Sequence, residues 1–146
     1  MAYNKLNRPS DQRKAMLRSQ VTALLWKGKI VTTKARAKEV QRIAEKQITK
    51  AIAQHKNTVT VKKSVKDEKG NIVEQEFVVD APAKLAARRQ LIAELYNIRP
   101  EKLEKESKSQ YKERTKDNNF PVVEKLFREL APKYATRAEA LGQGGG

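Results

Sequence analysis

The sequence predicts an α+β fold: about four helices packed on a small, incomplete sheet, with an inserted β-hairpin and an extended basic N-terminal arm. Three observations lead there. Apolar residues recur at helical spacing in four separate stretches, two β-rich runs flank a turn signal, and the first third of the chain carries most of a large positive charge. A chain of 146 residues with 38% hydrophobic content has the size of one domain, and its charged stretches leave a packed part smaller than the whole.

Residues 1–9 are polar, contain Pro9 and carry Lys5 and Arg8, so they read as a basic arm without a core of its own. Ser10 is the expected N-cap of a first helix over about 11–27, where Leu17, Val21, Leu24 and Leu25 share a face until Gly28. The β-branched run Lys29–Thr33 fits one strand, and Thr32 and Thr33 then offer the cap of a second helix over about 34–55. That helix has Val40, Ile43, Ala44, Ile48, Ala51 and Ile52 on one stripe and Lys38, Arg42 and Lys46 on the other side.

Residues 58–66 and 72–79 flank the turn signal DEKGN and form the hairpin, with Lys62, Lys63 and Lys66 set against Glu74 and Glu76 as cross-strand pairs. These charges read as structural pairing, so the hairpin is not assigned to nucleic-acid recognition. Asp80 and Pro82 start a third helix over about 81–96, which holds Arg88 and Arg89. Residues 97–119 mix both signs densely and read as a solvated loop or marginal helix, the part with weakest order. Val123, Leu126, Phe127 and Leu130 make a fourth helix that Pro132 is expected to end, leaving 138–146 as a flexible tail.

Thirty-two Lys and Arg against seventeen acids give a net charge of +15. Fourteen of those cations and three acids, Asp11, Glu39 and Glu45, lie in residues 1–56, so this third carries +11 of the total. A surplus so concentrated points to a polyanion, whose counterions Lys and Arg displace. An anionic membrane is the competing partner, but no segment approaches the roughly 20 apolar residues of a spanning helix, and the start has no apolar signal region. A cytoplasmic protein with no membrane association is expected.

Enzyme chemistry finds no support. There is no cysteine, a single histidine (His55) at the polar end of a helix, and no glycine loop to cradle a phosphate. Carboxylate pairs such as Asp67 and Glu68 sit in charged loops, away from the basic third, with nothing to shift their pKa toward acid–base work. No metal, cofactor or small-molecule substrate is expected. Eight aromatic residues are few for serial base stacking, so recognition of RNA shape and backbone fits better, with a DNA-bending architectural protein as the alternative.

The run KLNRPSDQRKAMLRSQVTALL, then KIVTTKARAKEVQRIAEKQIT, resembles the opening of the bacterial large-subunit ribosomal protein seventeen family. AARRQ at 86–90 and VVEKLFRELAPKYATR at 122–137 resemble later blocks of that family in the right order. The resemblance implies a non-enzymatic constituent of the large subunit, bound to its ribosomal RNA beside neighbouring ribosomal proteins on the exit-tunnel side. Carried over residue by residue, the RNA contacts would be Lys5, Arg8, Gln12, Arg13, Lys14 and Arg18, then Thr32, Thr33, Lys34, Arg36, Lys38 and Arg42. Arg88, Arg89 and Arg137 follow from the later blocks.

Two positions depart from the family pattern, with Asn7 where Gly is usual and Gln12 where His is common. The 58–79 hairpin and the 97–119 stretch are extra and imply insertions. The family also continues past its glycines into closing strands, so a chain that stops at Gly146 is expected to be a stretch of a longer protein.

Overall fold

Helical periodicity and the residues that break it set the order of elements in the computed structural model, which describes residues 4–66, 72–98, 101–116 and 120–142. Helix α1 spans Ser10–Lys27, α2 Lys34–Gln54, α3 Pro82–Glu94 and α4 Lys108–Thr115; strands β1, Thr58–Lys66, and β2, Ile72–Asp80, pair as an antiparallel ribbon. The last helix runs over 121–141 as α5 (Pro121–Lys125), a π-helical turn (Leu126–Leu130) and α6 (Ala131–Leu141). The fold is therefore α+β.

Helix α2 is the central element. It packs against α1, α3, α6 and the π turn, and its Val40, Ala44 and Ala51 meet Leu17, Val21 and Leu25 of α1 in one core. Leu91 and Leu95 from the α3 end and Val122, Val123, Leu126, Phe127 and Ala131 from the last helix complete that core. Small residues on α2 let neighbouring helices approach closely, while leucines and valines on those neighbours fill the space between.

Several expectations need correction. The Lys29–Thr33 run is extended but pairs with no strand among the described residues, and Val31 is fully exposed; β-branched residues favour the conformation, yet a strand needs a neighbouring edge to bond. The helices consequently pack on one another, and among the described residues the sheet consists of the hairpin alone. Ser10 does not cap α1: Pro9 takes that position, accepts the Arg13 N–H through its carbonyl at 2.9 Å, and Ser10 is the first helical residue.

Pro132 does not end the last helix. The Ala131 N–H bonds to the Leu126 carbonyl five residues back, and this wider turn lies where the Pro132 ring would otherwise crowd the preceding turn. The chain stays helical to Leu141, and Gly142 closes it in the left-handed region. Residues 143–146, the DEKGN turn at 67–71 with Asp67 and Glu68, and positions 99–100 and 117–119 lie outside the described residues.

The 97–119 stretch holds more order than expected. Ser107 and Gln110 form a reciprocal capping box that starts α4, the hydroxyl accepting from the Gln110 N–H while the Gln110 side chain accepts from the Ser107 N–H. Arg114 then reaches back to Glu106, with Nε at 2.7 Å from Oε1 and an amino nitrogen at 2.9 Å from Oε2. That two-pronged pairing lowers the Glu106 carboxyl from the usual 4.5 to about 2.

Two outcomes follow. Leu91, wholly buried, leaves a cavity when truncated, so Leu91→Ala should lower unfolding free energy by about 2–5 kcal/mol in urea titrations. Because the folded carboxyl titrates below its unfolded value, the Glu106–Arg114 contribution is present above about 4.5 and fades as pH falls toward 2. Carbon-detected NMR should place the Glu106 midpoint near 2, and Arg114→Gln should return it toward 4.5.

Candidate nucleic-acid interface

Lys5, Arg13, Arg36 and Arg42 come to one corner, where the arm meets the start of α1 and the start of α2. Its organiser is Glu39, a carboxylate only 6% exposed on α2. Arg13 of α1 pairs with it at 2.8 Å, Arg42 approaches at 3.6 Å, and the Asn4 side-chain amide donates to it at 3.3 Å. Arg13 Nε also donates to the Asn4 carbonyl at 2.7 Å. Arm, α1 and α2 are thus joined through one acid.

The arm is not extended. Leu6 and Asn7 both take the left-handed conformation, the Arg8 N–H bonds to the Lys5 carbonyl at 3.2 Å, and Leu6 packs against the core. Asn7 suits that geometry because Asn tolerates the left-handed region better than other residues with a β-carbon.

Across from this turn stands the start of α2. Thr33 occupies the N-cap without a side-chain cap bond, and the first turn contains no acid. Instead it carries Lys34 and Arg36, with Lys38 following. Cations at a helix N-terminus face the positive end of the macrodipole, which is the unfavourable orientation. An open cleft of about 440 Å³ separates the Asn4–Asn7 turn from Thr33, Ala35 and Arg36. An anion placed there would meet free helix N–H groups and side-chain cations together.

A second cleft of about 350 Å³ flanks the extended Lys29–Thr32 segment, lined also by Gln20 and Lys27. Gln20 donates to the Thr32 hydroxyl at 3.4 Å, and its Oε1 is buried without a partner.

The family-derived residues separate into three groups. Lys5, Arg8, Gln12, Lys14, Thr33, Lys34, Lys38 and Arg42 are exposed around the corner, with Thr32 and Arg36 half-buried beside them. Arg13, Arg18 and Arg88 have internal partners. Arg18 donates to the Leu95 carbonyl at 2.7 Å and stacks over Tyr96 at 4.3 Å, while the Tyr96 N–H bonds to the Thr22 hydroxyl. Arg88 bridges Asp80, at 2.5 Å, and Glu124, whose hydrogen bond raises the guanidinium pKa still further. Arg89 and Arg137 are exposed on α3 and α6, outside the corner.

Sequence reasoning passed over Asn4, Glu39 and Gln20. Glu39 had a signal: it is one of three acids among fourteen cations and sits one residue before the buried Val40. Among the described residues no cluster of His, Asp and Glu is arranged to hold a metal, and no helix is long and apolar enough to cross a membrane.

Comparison with known proteins gives a concordant result. Residues 16–141 match the family model described as Ribosomal protein L17. A protein of Lachnospira eligens named large ribosomal subunit protein bL17 is 44% identical over 92% of this chain and 84% of its own length. Proteins of the same name from Acetivibrio thermocellus and Streptococcus mutans are 38% and 37% identical, over 91% and 94% of this chain and 82% and 80% of their own lengths.

Removing the buried carboxylate should free the arm. Glu39→Ala is expected to destabilise the protein by about 2 kcal/mol in denaturant titration, since the Arg13 guanidinium is left partly buried without its acid. Limited trypsin digestion should then cut after Lys5 faster than in the parent protein.

Proposed function

The chain belongs to the ribosomal protein L17 family, and on that premise we propose that it is a cytoplasmic structural constituent of the bacterial large ribosomal subunit that binds and stabilises folded ribosomal RNA. The family is a non-enzymatic component of the ribosome. The observation that carries the RNA-binding part is the start of α2, where Lys34, Arg36 and Lys38 follow an N-cap without a side-chain cap bond and Arg36 lines an open cleft shared with Lys5 of the arm. That arrangement is self-repelling in the free protein and is relieved by phosphate.

In this reading Lys5, Arg8, Lys14, Lys34, Arg36, Lys38 and Arg42 meet backbone phosphates, and Gln12, Thr32 and Thr33 add hydrogen bonds at the same corner. Arg89 and Arg137 make outlying contacts. Arg13 and Arg18 act chiefly by holding α1 against α2 and α3, and Arg88 by holding α3 against β2 and α5. Neighbouring large-subunit proteins on the exit-tunnel side complete the surroundings. The DNA-architectural alternative gains nothing from the relatives, which carry the name of a large-subunit protein.

Phosphate contact makes affinity salt-dependent. With about six phosphates engaged, binding to ribosomal RNA should weaken roughly a thousandfold between 50 and 200 mM salt, and duplex DNA should compete poorly. Replacing Lys5, Lys34, Arg36 and Lys38 together by Gln should leave the circular dichroism spectrum unchanged and abolish recovery of the protein with the large subunit in sedimentation. Normal assembly of that variant would refute the interface.

A further inference from the structure

The β1–β2 ribbon stands outside the core with both faces largely open, and its two faces differ. In its antiparallel register Val59 lies opposite Val79, Val61 opposite Phe77, Lys63 opposite Gln75 and Val65 opposite Val73, so these pairs share one face. Six of the eight side chains are apolar. Val59 remains 46% exposed and Phe77 38%. The other face alternates Thr60 with Val78, Lys62 with Glu76 and Ser64 with Glu74, and Lys62 lies 3.6 Å from Glu76.

Charge separates this ribbon from the phosphate-binding corner. Its two strands carry Lys62, Lys63 and Lys66 against Glu74, Glu76 and Asp80, a balance of zero on a chain of net +15. Polyanion contact would call for a surplus of cations here, as the first third has, and a second copy of this chain would be repelled by its like charge. What an apolar face on a ribbon of zero net charge fits is the apolar surface of another protein. Lys63 is the one charge on that face, held over the Phe77 ring at 5.8 Å, so the complementary surface needs one carboxylate opposite it.

The ribbon is also aimed. At its base Asp80 pairs with Lys84 at 2.8 Å and with Arg88 at 2.5 Å, and Arg88 continues to Glu124 on α5. Strands of nine residues reach roughly 30 Å, and an arm of that length gains affinity when its direction is fixed before binding.

We propose that the Val61–Phe77 face of this ribbon docks on an apolar, carboxylate-bearing surface of a neighbouring protein in the same particle, an inference that rests on the ribosomal reading above. The test places a photoactivatable benzophenone residue at Val61, and separately at Ser64 on the opposite face, in the full-length protein as the cell's only copy. After irradiation, large subunits are purified and cross-linked peptides identified. The label at Val61 should join one ribosomal protein at an apolar segment containing Asp or Glu, and the label at Ser64 should not reach that segment. Adding Lys63→Glu should reduce the Val61 product about fivefold by setting two acids face to face.

Cross-links to RNA, to a second copy or to nothing, in subunits that contain the protein, would overturn the docking proposal alone. So would a Val61 product indifferent to Lys63→Glu. Absence of the protein from large subunits would overturn the ribosomal reading and this proposal with it.

Discussion

A corner dense in Lys and Arg holds together because one acid, Glu39, is buried where arm, α1 and α2 meet. Arg13 answers it directly, and the same guanidinium holds the Asn4 carbonyl, so a single ion pair fixes both the interhelical contact and the path of the arm. Without such an anchor, mutual repulsion among Lys5, Arg8, Lys14, Lys34 and Arg36 would favour dispersing these segments. The acid is internal, so it removes little of the positive field that the outer side of the corner presents. Anchoring and attraction are thereby assigned to different faces of the same helices.

A second ion chain does comparable work at the far end. Asp80 closes β2, Lys84 and Arg88 lie on α3, and Glu124 opens the last helix, so the chain of pairs ties the ribbon to the core across three elements. These side chains are between 10% and 25% exposed, which shields them from the screening that makes fully exposed pairs weak. Helix α2 lies between the two networks and contacts most of the other helices through small or branched residues. The corner and the ribbon are therefore held in one frame.

Local signals in the sequence were enough for the elements whose stability is local. The stripe from Val40 to Ile52, the hairpin and the start of α3 at Pro82 all follow from periodicity and turn chemistry, but of the expected cross-strand charge pairs only Lys62 lies opposite a glutamate, Glu76, while Lys63 lies opposite Gln75 and Lys66 opposite Ile72. Lys29–Thr33 was misread as a strand because a strand depends on a partner edge that propensity does not report. Pro132 was misread as a stop because the π turn that accommodates it depends on how Leu126 and Phe127 pack. The arm was read as extended because Leu6 is a single apolar residue, and its docking site exists only once α1 and α2 are assembled.

The candidate site was legible in the same partial way. Counting charge located the region, since fourteen cations against three acids is a property of sequence alone. Which cations face outward is not: Arg13, Arg18 and Arg88 look like their exposed neighbours until Glu39, the Leu95 carbonyl and the Asp80–Glu124 pair are placed beside them. Their acceptors lie between 8 and 77 residues away along the chain, beyond the reach of any periodic pattern. The clearest functional signal is consequently one of apparent disfavour, the cationic first turn of α2. Local rules argue against Lys34 and Arg36 at a helix N-terminus, and neither has an acid to offset the cost among the ion pairs of the described residues, a cost that the proposed phosphate contact would relieve.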